Sequence, residues 1–190
     1  MPSRIREMTT AALLAALMSA VSWAGVYVYQ VPFTLQTLFV ALAALLLSPA
    51  WAAYAMVTYL LVGIVGVPVF AGGNAGIGVL AGPTGGYLVA FVFAALLGST
   101  FRTAARSALL DRFETHPLRV QAFADSLAIV TVIIVVGVLG SVWLAASAGL
   151  ALGEALMIGA APFILGDLVK GLTAGILAWT VRRAVRAGIS

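Results

Sequence analysis

Cysteine is absent from the chain, histidine occurs once, and charged residues make up only 8% of its 190 positions. Without cysteine there is neither a disulfide framework nor a thiolate metal site. The single histidine, His116, stands beside Pro117 in an arginine-bearing stretch, away from any nucleophile or second ligand. Hydrolase and zinc-protease arrangements that need histidine inside a span therefore lack their machinery, and no metal is expected. The scarcity of charge excludes a soluble globular fold, in which roughly a quarter of residues are charged and about half are apolar. Here 63% are hydrophobic. No G-x-x-x-x-G-K-[ST] stretch occurs, so P-loop binding of nucleotide phosphates is excluded and any ATP must be hydrolysed by a partner. The stretch Gly76-Ile-Gly-Val-Leu-Ala81 matches a dinucleotide fingerprint in letters only. It lacks the strand and helix of a soluble βαβ unit, so no cofactor is expected.

What fills the chain is apolar sequence with a mean hydropathy of +1.15. Six apolar segments can be drawn: Met8 to Tyr29, Phe33 to Leu47, Trp51 to Val67, Gly86 to Phe101, Ala122 to Ala148 and Gly159 to Val181. Each crossing of a ~30 Å hydrocarbon layer takes roughly 17–25 residues. The expectation is a single all-α membrane domain, residues 1–190, with six transmembrane helices. The second and third segments are short and parted only by Ser48-Pro49. Arginine positions support counting them separately. Arg4 and Arg6 precede the first segment, Arg102, Arg106, Arg112 and Arg119 lie between the fourth and fifth, and Arg182, Arg183 and Arg186 follow the sixth. With six crossings all nine arginines fall on one side, which the positive-inside bias makes cytoplasmic together with both termini. The pI near 10 then reflects membrane topology, and no nucleic-acid partner is expected. The first segment could pass for a cleavable leader, but its apolar run continues through Trp23 and is read as a span.

Three features rise above this background. The stretch Gly66 to Gly86 is uncharged, glycine-rich and apolar. Irregular backbone at membrane depth must be buried in protein or line a cavity, so this loop, between the third and fourth helices, reads as a folded cap over a pocket. The first helix repeats alanine at four-residue spacing, Ala11 with Ala15, Ala12 with Ala16 and Ala16 with Ala20, a small-xxx-small stripe that lets another membrane helix approach closely. In the last span Asp167 and Lys170 sit i, i+3 on one helical face. Ionisable groups at mid-membrane cost about 2.5–3.5 kcal/mol each even on lenient scales, which makes the pair a functional candidate. Lys170 is also the only lysine. The acidic Asp111 and Glu114 read as part of a solvated face, and Asp125 as a marker of the cytoplasmic start of the fifth span.

The chain resembles the BioY family, the biotin-specific S components of energy-coupling factor transporters. Three stretches carry the resemblance: Val31-Pro-Phe-Thr-Leu-Gln-Thr37, then Gly66-Val-Pro-Val-Phe-Ala-Gly-Gly73 running on to Gly82-Pro-Thr-Gly-Gly-Tyr87, and Pro162-Phe-Ile-Leu-Gly-Asp-Leu-Val-Lys170. The last departs from the pattern at Leu165, where a proline is expected. The resemblance implies six helices in the cell membrane and biotin capture at the outer face. It also implies a transmembrane coupling protein, contacted through the alanine face, and two cytoplasmic ATPase subunits. Biotin offers two ureido N–H donors, a ureido carbonyl, an apolar sulfur ring and a tail carboxylate. Asp167 suits the N–H groups, and Lys170 suits either the ureido oxygen or the tail carboxylate, each as a charge-assisted bond. Asn74 and Gln36 offer further amide contacts, while Phe33, Phe70 and Tyr87 would wall the apolar ring. The alternatives are an S component for thiamine or riboflavin, a lipid-modifying membrane enzyme using Asp167 and Lys170 as base and acid, and a purely structural subunit.

Overall fold

A computed structural model describes residues 4–28, 31–110 and 116–188; Tyr29, Asp111, Arg112 and Glu114 lie outside the described residues. The chain runs through α1 (Arg4–Val21), a hairpin of β1 (Gly25–Val28) and β2 (Val31–Thr34), α2 (Gln36–Leu46) and α3 (Pro49–Ile64). It continues through a short α4 (Gly78–Ala81), α5 (Gly85–Leu110), α6 (Pro117–Ala148), α7 (Leu152–Gly159) and α8 (Ile164–Ala187). Among the described residues three stretches are long and apolar enough to cross a membrane: Gly85–Leu110, Pro117–Ala148 and Leu152–Val185. The helices α2 and α3 are shorter, at 11 and 16 residues. At ~1.5 Å per residue they rise roughly 16 and 24 Å. Pro49 at the first turn of α3 and the extended Ser48 before it separate the two.

The hairpin departs from the all-α expectation. Gly25 pairs with Thr34, Val26 with Phe33, Tyr27 with Pro32 and Val28 with Val31, antiparallel. The β-branched and aromatic residues of Gly25-Val-Tyr-Val28 favour an extended chain over the last turn of a helix. α1 ends at Val21, and the stretch expected to complete it turns back over the molecule. A side chain at Gly25 would begin only 2.8 Å from the Thr34 methyl, so glycine is what lets the strands close there. This turn delivers Val31, Pro32, Phe33 and Thr34 to the wall of a cavity.

α2 is the axis of the fold. Eight of its 11 residues are buried, as a helix that is apolar all round must be. It packs against α8, α5, α6, α1 and α3. Small residues bring the helices together: Ala44 of α2 and Val132 of α6 each lie 3.1 Å from where a side chain on Gly98 of α5 would begin. Large apolar side chains point outward, including Leu165, Val169, Leu172 and Ile176 on α8, while Ala174 and Ala178 face in. Such an inverted surface suits lipid, which is as apolar as leucine.

The arginine-bearing end is tied by polar contacts. Asp125 of α6 pairs with Arg102 of α5 at 2.9 Å and with Arg182 of α8 at 2.5 Å. Arg182 also donates to the Leu45 carbonyl, an acceptor in the last turn of α2 that the helix itself leaves free. Glu7 of α1 accepts from the backbone N–H and the hydroxyl of Ser48, placing a carboxylate at the N-terminus of α3.

Candidate functional site

Asp167 and Lys170 lie in the first two turns of α8, after the helical turn at Ala161–Phe163 that breaks the chain away from α7. Their spacing puts both on the face toward α2. The Lys170 ammonium sits 2.8 Å from Asp167 Oδ1, and Lys170 is only 7% exposed. Thr37 of α2 completes a triangle: its hydroxyl donates to Asp167 Oδ1 at 2.7 Å and accepts from Lys170 Nζ at 3.2 Å. Nζ also stands 3.7 Å above the centre of the Phe33 ring, within cation–π range. Two of the three ammonium donors are therefore taken within the chain, and Asp167 Oδ2 makes no bond among the described contacts.

This triangle opens into a cavity that combines a mainly apolar lining with a few polar groups, the general character of small-molecule sites. All seven residues expected at a binding site, Asp167, Lys170, Asn74, Gln36, Phe33, Phe70 and Tyr87, line it. They come from β2, α2, α5, α8 and the loop between α3 and α5, separated by up to 137 positions in sequence and joined only by the fold.

The three aromatic walls are each seated on a helix glycine. A side chain at Gly166 would begin 2.4 Å from the Phe33 ring, one at Gly63 2.1 Å from Phe70, and ones at Gly140 and Gly159 2.1 and 2.2 Å from Tyr87. Absence of a side chain at these positions is what lets the rings stand where they do. Phe33 stacks on Phe163 at 6.1 Å, and the Tyr87 hydroxyl donates to the Gly159 carbonyl at 2.9 Å. Gln36 is less free than its amide suggests. Its oxygen accepts from the Thr34 hydroxyl at 2.7 Å, and its nitrogen donates to the Tyr59 hydroxyl at 2.6 Å. Tyr59 in turn donates to the Val69 carbonyl at 2.9 Å, so Gln36 braces the cavity floor against the glycine-rich loop. Asn74 is exposed at the rim and donates to Ala71 O at 2.7 Å. That loop turns through Gly66, Gly72, Gly73 and Gly76, all at positive φ, a backbone conformation costly for other residues. It contributes Phe70, Ala71, Asn74, Val79 and Thr84 to the lining.

Sequence reasoning missed Thr37 and Phe163, although both fall inside the stretches that carry the family resemblance. The alanine stripe needs a correction. Ala11 and Ala15 are 5% and 4% exposed, packed inward from α1, and are not available to a partner. Ala12, Ala16 and Ala20, one residue further round the helix, are exposed. One turn of 3.6 residues puts the two rows about 100° apart, so only one of them can face out. Among the described residues no cluster of three or more metal-ligating side chains occurs.

Comparison with known proteins places this arrangement among relatives. Residues 1–187 match the model of the BioY family. A probable biotin transporter of Pyrococcus horikoshii is 34% identical over 175 residues, covering 92% of this chain and 95% of that protein. The biotin transporter BioY2 of Lactococcus lactis subsp. cremoris is 31% identical over 183 residues, covering 96% of this chain and 93% of its own length. A crystal structure of the S component for biotin from an energy-coupling-factor-type ABC transporter superposes with a TM-score of 0.80 at 23% identity. That match covers 95% of this chain and 92% of the solved one, and establishes the likeness of fold.

Proposed function

The chain belongs to the BioY family, and from that membership we propose that it is the membrane subunit that captures biotin for uptake, a transport component and not an enzyme. The observation that carries this reading is the Asp167–Lys170–Thr37 triangle at the closed end of an aromatic-walled cavity. An ion pair of this kind inside a membrane protein is costly to maintain, and ligand binding is the use that offsets it.

Electrostatics favours one orientation of the ligand. A tail carboxylate on Lys170 would share the ammonium with Asp167, which lies 2.8 Å from it, and two carboxylates brought to one cation oppose each other in low dielectric. The ureido group adds no net charge. Its N–H groups suit the open Oδ2 of Asp167, and its carbonyl suits the remaining donor of Lys170. The sulfur ring then lies between Phe33, Phe70 and Tyr87, and Gln36 holds the floor rather than the ligand. Asn74 meets the ligand at the rim.

The topology that accompanies this reading has six crossings with both termini and the arginine-bearing loop in the cytoplasm, because nine arginines share one end. Reporter fusions near Arg106 and after Arg183 should both report the cytoplasm; opposite sides would break the six-span arrangement. With no nucleotide-binding motif of its own, the chain relies on a transmembrane coupling protein and two cytoplasmic ATPase subunits, and the exposed row Ala12, Ala16 and Ala20 is the face offered to the former. Mass spectrometry of detergent-purified protein tests the substrate directly. Bound or exchangeable biotin is expected; thiamine or riboflavin held in its place would overturn the assignment.

A further inference from the structure

The cavity has charge at one end only. Among its lining residues the charged ones are Asp167 and Lys170, and these already neutralise each other. Among the described residues no arginine lines the cavity, and Arg102 and Arg182 are committed to Asp125. The rim offers neutral groups instead: the Asn74 amide, the Thr84 hydroxyl and the backbone of the glycine-rich loop. It also reaches the surface, since the lining residue Asn74 is exposed.

Resting on the reading that biotin is the ligand and that its ureido ring occupies the triangle, we infer that this protein also accepts biotin whose tail carboxylate has become a neutral amide. Tail-conjugated biotin is then a second ligand class for the same cavity. The ring end supplies the charge-assisted bonds, and these are unaffected by the change. At the rim the carboxylate meets no cation, so it keeps its water and its loss removes no ion pair. An amide carbonyl accepts from Asn74 or a loop N–H as a carboxylate oxygen does. A group attached beyond the amide extends through the open mouth into solvent.

Calorimetric titration of the detergent-solubilised full chain with biotin and with biotinamide tests this. The amide should bind within tenfold of biotin, and a loss of tenfold or more overturns the inference. The variant Lys170→Met supplies a second readout. It should weaken both ligands by the same factor; a greater loss for biotin than for its amide would place the carboxylate on Lys170 and overturn the inference by another route. If biotin itself does not bind the unaltered chain, the proposed function fails and takes this inference with it, whereas biotin bound with the amide rejected defeats the inference alone.

Discussion

Phe33 is gripped from two sides, with the Lys170 ammonium 3.7 Å from its centre and Gly166 beneath its edge. The change Gly166→Ala places a methyl 2.4 Å from the ring and must displace it, because Gly166 lies on a helix backbone that cannot retreat. Overpacking of this kind costs about 1–3 kcal/mol. Biotin affinity should fall with it, while the helical circular-dichroism signal stays; unchanged affinity would remove Phe33 from the ligand's surroundings. Thr37→Val tests the third corner of the triangle. It keeps the shape and removes a hydroxyl bonded to both charges, and a bond to a charged group is worth about 1.5–3 kcal/mol, so titration should show at least about a tenfold loss. Affinity within twofold of the unaltered protein would make Thr37 a bystander. The charged pair was legible in the sequence because ionisable residues in an apolar segment are too costly to stand there without a use. Thr37 was not legible. Threonines in spans commonly bond the carbonyl four residues back, as Thr131 and Thr173 do here, and nothing in the letters separates such a residue from one aimed at a site.

At the scale of elements, α1 has two alanine rows with different fates. Ala12→Trp with Ala16→Trp changes only the exposed row, and should abolish copurification with the coupling protein while biotin binding persists. Ala11→Trp is the contrasting control, since it forces an indole into the packed core and should lower the thermal midpoint of the isolated subunit. Copurification surviving the first pair of changes would move the docking face elsewhere. Alanine spacing alone could not tell the rows apart, because both satisfy the same four-residue repeat. The remaining elements divide similarly. The long apolar helices α5, α6 and α8 were plain from hydropathy, and the break at Ser48-Pro49 from proline chemistry. The hairpin was hidden inside an apolar run, where helix and strand differ only by their β-branched content. The course of the glycine-rich loop was likewise hidden, since glycine permits many backbones and names none.

The whole molecule is polarised, with the cavity at one end and an arginine lock at the other. Asp125 joins α5, α6 and α8, and through Arg182 the end of α2 as well. Asp125→Asn removes the charge that compensates two arginines and should lower stability by about 3–5 kcal/mol, as breaking a buried pair does. Biotin affinity measured well below the unfolding transition should be nearly unchanged, because the lock and the cavity share no residue. An affinity loss without a stability loss would mean that the two ends communicate. A different measurement decides whether the cavity's charge is there for a ligand or for the fold. Calorimetric titration of biotin into Asp167→Asn combined with Lys170→Met does so, because replacing both members strands neither charge. The fold should persist, and biotin affinity should fall by at least about tenfold, the loss of one or more charge-assisted bonds. Stable protein that still binds biotin as tightly as the unaltered chain would contradict the site.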